Sequence, residues 1–351
     1  MTILVTGGAG FIGANFVLDW LGTSNEPIVN LDRLTYAGNA RTLASLAGDA
    51  RHIFHQGDIA DSGLVGRILA DHQPRAIVHF AAESHVDRSI RAGADFVQTN
   101  VVGTFQLLES ARQYRAGLSP AGQEAFRFLH VSTDEVYGSV PADAAPVSET
   151  SRYEPSSPYS ATKAASDHLV RAWHSTYGLP TLVVHCSNNF GPFQYPEKLI
   201  PLMIQRALDG ERLPVYGDGQ QVRDWLYVRD NCSAIRRVLE AGQVGSSYNV
   251  GGGNERMNLD VVRLLCAHLD QLAPRKDGLS YSTQIAHVQD RLGHDRRYAL
   301  DASKLERELG WAPEHDFEAA LAHTVRWYLE HADWVRQAHA ASAADKPGTA
   351  A

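Results

Sequence analysis

Apolar residues in the first half of the chain fall into short unbroken blocks, separated by longer stretches where they recur every three to four positions. The blocks predict strands at 3–7 (ILVTG), 27–32 (PIVNLD), 52–59 (HIFHQGDI), 76–82 (AIVHFAA), 126–132 (FRFLHVS) and 180–188 (PTLVVHCSN). The stretches between them predict helices at 11–21, 64–72, 95–115 and 159–177. Strands that are apolar throughout, rather than alternating, need cover on both faces. Helices between successive strands supply it, so the expected fold is α/β, a Rossmann-like doubly wound parallel sheet.

After Asn189 the rhythm changes. Pro192, Pro196, Pro201 and Pro214 interrupt the pattern, and YGDGQQ (216–221) reads as turns. Helical spacing returns at 198–209, 230–241, 258–271, 302–309 and 316–331. This predicts a smaller, mostly helical α/β second domain. The expected division is 1–189 with roughly 224–245 as one domain, 190–223 with roughly 246–335 as the other, and 336–351 as a flexible tail.

A length of 351 residues suits two domains. A net charge of -8 and a pI near 6.0 argue against a nucleic-acid-binding face, yet leave room for a local basic pocket. Cys186, Cys232 and Cys266 form no CxxC pair and no disulfide framework, which fits a reducing cytoplasm. MTILVTGG enters a strand at once, so no signal peptide is expected. No apolar run approaches the ~18 residues a membrane helix needs. No metal is expected: the histidines form no HExxH, and His52 and His55 fall on opposite faces of a strand.

TGGAGFIG places Gly7, Gly10 and Gly13 between a strand and a helix. Glycines there allow a tight turn, close approach of the backbone to a pyrophosphate, and an anion at the helix N-terminus. Asp32 ends the next strand, where an acid binds the adenosine ribose hydroxyls and repels a 2′-phosphate; this favours NAD over NADP. A nucleotide-hydrolysing loop is disfavoured, because Ala14 stands where lysine is required.

YSATK sets Tyr159 and Lys163 one helical turn apart. A tyrosine can take an alcohol proton if a nearby ammonium and a positive nicotinamide stabilise its phenolate. Together with the glycine turn, this arrangement resembles the extended short-chain dehydrogenases/reductases. STDEVYG adds Asp134 and Glu135 at the end of an apolar strand, where ligands of open α/β sheets lie. A simple alcohol oxidation or epimerisation needs neither acid. Oxidation followed by loss of water needs both, one as base and one as acid.

The motifs TGGAGFIG, LDRLTYAGN, AAESHVDRSI, STDEVYG, YSATK, SNNFGPFQYPEKLIPL, YGDGQQVRDWLYV, YNVGGGNERMN and DRLGHDRRYA are similar, over roughly residues 1–305, to those of the dTDP-glucose 4,6-dehydratase family. The resemblance implies dehydration of dTDP-glucose to the 4-keto-6-deoxy sugar, with NAD held tightly and recycled. Tyr159 would be the C4 base, assisted by Lys163 and Thr133; Glu135 would take the C5 proton and Asp134 would protonate the C6 hydroxyl.

The resemblance extends the cofactor set to Gly7, Gly10, Phe11, Ile12, Gly13, Asp32, Arg33, Leu34, Thr35, Asp58, Ile59, Ala81, Glu83, Thr99, Tyr159, Lys163 and Asn189. It gives Ser84, Thr133, Asn188, Lys198, Leu199, Pro214, Tyr216, Arg223, Asn258, Arg291 and His294 to the nucleotide sugar. It also implies a homodimer through the helices near 95–115 and 159–177. Two departures stand out: Leu292 replaces a proline in RLGHD, and Phe190 a tyrosine in NNFGP. An NDP-sugar 4-epimerase on the same fold and a non-catalytic NAD-binding protein are the alternatives.

Overall fold

The computed structural model describes residues 1–344. Its main sheet is built from β1 (Ile3–Thr6), β2 (Ile28–Asp32), β3 (His52–Gln56), β4 (Ala76–His79), β5 (Arg127–Thr133), β6 (Thr181–Cys186) and β10 (Ser247–Val250). The seven run in the order β10-β6-β5-β4-β1-β2-β3, all neighbours parallel. The order reverses direction between β1 and β4, which opens a ligand crevice beyond their carboxyl ends. The first-half blocks therefore form the expected sheet. The helices α1 (Phe11–Thr23), α2 (Ser62–His72), α5 (Thr104–Ala116) and α7 (Pro158–Tyr177) accompany it.

Helix α7 starts where local chemistry directs it. Ser157 and Ser160 form a reciprocal capping box, Pro158 occupies the first turn, and Gly178 ends the helix at φ 66°. Tyr159 is thereby fixed in the first turn, with Lys163 and Asp167 following at four-residue steps toward the sheet.

The second region contains two small sheets. β7 (Asn188–Phe190), β9 (Val222–Tyr227) and β11 (Glu255–Met257) make one; β8 (Leu213–Tyr216) and β12 (Ile285–Val288) make the other. Helices α8 (Leu199–Leu208), α10 (Asn258–Leu272), α11 (Ser303–Leu309) and α12 (Phe317–Glu330) pack there. The chain returns through α9 (Val228–Ala241), which packs on α1.

The structure departs from the sequence expectations in three places. Residues 247–250, expected in the second domain, form the edge of the main sheet, while 224–227 lie in a small sheet. Four residues are too short a block to announce which sheet they join; Tyr248 and Val250 are buried only once α9 and α11 cover them. The helix expected at 95–115 begins as α3 (Val86–Arg91) and α4 (Gly93–Phe96) and widens into a π-helical segment at 97–103 before α5. A period argument cannot separate such a segment from an α-helix over two turns. Finally, 336–344, expected in the flexible tail, belong to α13 (Ala332–Ala344); the rest of that tail lies outside the described residues. Trp334 Nε1 bonds Thr42 Oγ1 at 3.2 Å and the Ala338 carbonyl accepts from Tyr195 at 3.2 Å, anchoring an alanine-rich helix.

Candidate active site

The β1–α1 turn is shaped by backbone crowding. Gly7 has φ +75°, and a Cβ there would meet Ala81 N at 2.5 Å; a Cβ at Gly13 would meet the Gly7 carbonyl at 2.3 Å. No side chain caps α1 and its first turn carries no acid, so its free N–H groups suit a pyrophosphate. Asp32 accepts from Ala9 N and Leu34 N, each at 2.8 Å, and so ties the turn to the strand end. Each of its oxygens retains capacity for a further bond, as ribose recognition requires. Arg33 turns to Asp58, 3.2 Å away. These features fit NAD.

Of the expected cofactor residues, Gly7, Gly10, Phe11, Ile12, Gly13, Asp32, Arg33, Thr35, Asp58, Ile59, Ala81, Glu83, Thr99, Tyr159 and Lys163 line one cleft. Leu34 does not; it takes a left-handed φ of 57° and offers its N–H to Asp32. Asn189 lines a second, adjoining cleft instead, and Ser84, expected at the sugar nucleotide, lines the first.

β5 ends at Thr133, whose hydroxyl accepts from Glu135 N and donates to Asp134 Oδ1, both at 3.3 Å. This short turn presents the two acids differently. Asp134 is buried, lines neither cleft, and has an unpartnered Oδ2. Burial, then the charges of Glu135 and Asp224, raises its carboxyl well above the carboxylate range. Glu135 lines the second cleft. Burial raises it too, but Lys198, Arg223 and Arg291 pull it back. Neither acid is tied to a distant structural partner.

Tyr159 is 8% exposed, and the Thr133 hydroxyl is its hydrogen-bonding neighbour. Burial and Glu135 raise the phenol well above 10, outweighing the hydrogen bond with Thr133 that lowers it; the expected lowering was to come from an ammonium and a positive nicotinamide together. Lys163 donates to the Val131 carbonyl at 2.9 Å and lies 3.3 Å from His130 Nε2; burial lowers its amine to about 8.

The second cleft collects Asn188, Lys198, Leu199, Pro214, Tyr216, Arg223, Asn258, Arg291 and His294, as expected for the nucleotide sugar. Oδ1 of Asn188, Asn189 and Asn258 is buried without a partner, which suits a polar ligand. The cations are already held: Lys198 by the Ser84 carbonyl at 3.0 Å, Arg223 by the Asp295 carbonyl at 2.9 Å, and Arg291 by Asp87 at 2.6 Å. Sequence reasoning missed Asp87, Glu197 and Tyr298, which also line this cleft. Each lay inside a quoted motif, but only the folded chain brings 87 and 291 together.

The GDP-mannose 4,6 dehydratase family model matches residues 4–324. A dTDP-glucose 4,6-dehydratase of Xanthomonas campestris pv. campestris is 62% identical over 335 residues, covering 95% of both chains. That of Escherichia coli K12 is 52% identical, covering 95% of this chain and 94% of its own. Among solved structures, dTDP-glucose 4,6-dehydratase DesIV of Streptomyces venezuelae, with NAD bound, superposes with a TM-score of 0.87 at 46% identity, covering 96% of this chain and all 100% of that one. A UDP-glucose 4-epimerase of Thermotoga maritima shares the fold at a TM-score of 0.82 but only 29% identity, over 94% of this chain and 99% of its own. A Rossmann-type chain with two acids poised beside its Tyr–Lys pair thus belongs to the dTDP-glucose 4,6-dehydratase family.

Proposed function

We propose that this protein dehydrates dTDP-glucose to dTDP-4-keto-6-deoxyglucose, using NAD bound in the first cleft and holding the nucleotide sugar in the second. The observation that carries this reading is the unequal pair at the end of β5: Asp134 is buried outside both clefts with its carboxyl raised well above the carboxylate range, whereas Glu135 lines the second cleft, raised by burial but held back by three cations. Two carboxyls so separated can act as acid and base at one pH. An epimerase has no proton transfer for either.

The chemistry supplied by bound NAD is reversible hydride acceptance, which lets one nicotinamide serve both C4 and C6. With that positive ring held in the first cleft, the buried Tyr159 phenol would ionise more readily and could take the proton of the C4 hydroxyl. The resulting ketone acidifies C5–H. Glu135 removes that proton and Asp134 gives one to the departing C6 hydroxyl, so water leaves. Arg223, Arg291 and Lys198 are the cations for the diphosphate.

The test is incubation with dTDP-glucose and with UDP-glucose. A 4-keto product absorbing in alkali, formed from dTDP-glucose, is expected; dTDP-galactose would instead identify an epimerase, and no product a binding protein.

Three buried free cysteines suit a reducing cytoplasm, and among the described residues no helix is long and apolar enough to cross a membrane. The reading includes a homodimer through α5 and α7. Val97, Phe105 and Tyr177 are 49%, 38% and 50% exposed, and Trp173 stacks edge-on between Phe105 and Tyr177. Glutamates at Phe105 and Tyr177 are expected to halve the mass found by sedimentation. A wild-type monomer would exclude this interface.

A further inference from the structure

Beneath the Tyr159–Lys163 face lies a buried cluster that the proposed steps do not use. Asp167, one turn beyond Lys163 on α7, is fully buried. Its Oδ2 accepts from Ser132 Oγ at 2.9 Å and from Tyr153 OH at 3.1 Å, and lies 3.2 Å from His185 Nε2. Its Oδ1 lies 3.3 Å from His130 Nε2, and that same ring nitrogen is 3.3 Å from Lys163 Nζ. One imidazole thus stands between a buried amine and a buried carboxylate. The ring's other nitrogen, Nδ1, has no partner.

A carboxylate this deep is costly unless donors and a counter-charge hold it. The surroundings can be followed element by element. From β4, His79 packs against His130 at 5.1 Å between ring centroids; from β5 comes His130 itself; from β6 come His185 and Cys186. Burial lowers His130 to about 4 and His79 well below its usual range, and raises Cys186 to about 12, so these three are neutral at pH 7. Tyr137 bonds His185 Nδ1 at 3.2 Å, and Arg171 of α7 is engaged by the Tyr153 hydroxyl at 2.8 Å on the outer side. Burial pushes Asp167 up, but interaction with the nearby His130 and His185 rings outweighs it and keeps the carboxyl ionised. Asp167 is therefore the negative charge that Lys163 faces.

We propose that Asp167 is a positioning residue for Lys163: across the His130 ring it holds the buried amine as an ammonium. The consequence for C4 oxidation rests on the function proposed above, whereas the charge state of Lys163 does not.

Competitive labelling with trace acetic anhydride reads that charge directly, because only the neutral amine is acylated and Lys163 lines the first cleft. Mass spectrometry of the Lys163 peptide across pH is expected to give a wild-type midpoint near 8. In Asp167→Asn the midpoint is expected to fall by about one pH unit or more, and in Asp167→Glu to return toward wild type. Superimposed curves for wild type and Asp167→Asn would overturn the proposal. So would a wild-type midpoint below about 7, which needs no variant and settles the matter even if Asp167→Asn does not fold. In a parallel single turnover with dTDP-glucose, the alkaline limit for nicotinamide reduction should move with the labelling midpoint. A shifted midpoint in a protein inert toward dTDP-glucose would defeat the proposed function and leave the role of Asp167 standing.

Discussion

Tyr159→Phe is expected to lose nicotinamide reduction on mixing with dTDP-glucose, with turnover falling by roughly 10²–10⁴-fold while NAD binding persists. The reason lies in the surroundings of the phenol. It is buried, its neighbour Glu135 is acidic, and both effects raise it. A positive nicotinamide held beside Tyr159 would offset that rise and let the phenol take the C4 hydroxyl proton. Stopped-flow absorbance of the reduced nicotinamide tests this. A variant that still reduces its cofactor at the wild-type rate would remove Tyr159 from the first step.

The second large effect separates the two acids. Glu135→Gln should reduce bound NAD and then stall, with product formation lowered by roughly 10²–10⁴-fold and no exchange of the C5 hydrogen with deuterated solvent. Asp134→Asn should also stall after oxidation but keep that exchange, because the C5 base remains while the proton donor for C6 is gone. The pH dependence has a definite sign. Asp134 is raised and must be protonated, so activity falls as pH rises through its pKa. Glu135 must be ionised, so activity falls as pH drops through its own, which burial raises and three cations hold back. If Glu135→Gln exchanged C5 hydrogen normally, the base would have to be sought elsewhere, and Tyr298, which lines the same cleft, would be the next candidate.

Much of this arrangement was legible beforehand because it rests on local rules. The buried strand blocks, the glycine turn and the Ser157–Pro158 start of α7 are written in consecutive residues. Most expected cofactor residues line the first cleft and most expected sugar residues the second, but Ser84 and Asn189 are exchanged, Lys198 lines both, and Leu34 and Thr133 line neither. Ser84 lies in a loop and Asn189 in the three-residue strand β7 beside β9, and the cleft each one faces is set by tertiary packing. The Arg291–Asp87 pair spans 204 residues and left no trace in either local pattern.

Sequence by itself determined the parallel sheet, the dinucleotide turn and the inventory of reacting groups, since strand period, capping and motif spacing act over a few residues. Tertiary structure alone decided how those groups are charged. Burial and the meeting of remote side chains set the unequal acids, lifted Tyr159 and placed Asp167 under Lys163. Desolvation and Coulomb interactions depend on distances that exist only after the chain has folded.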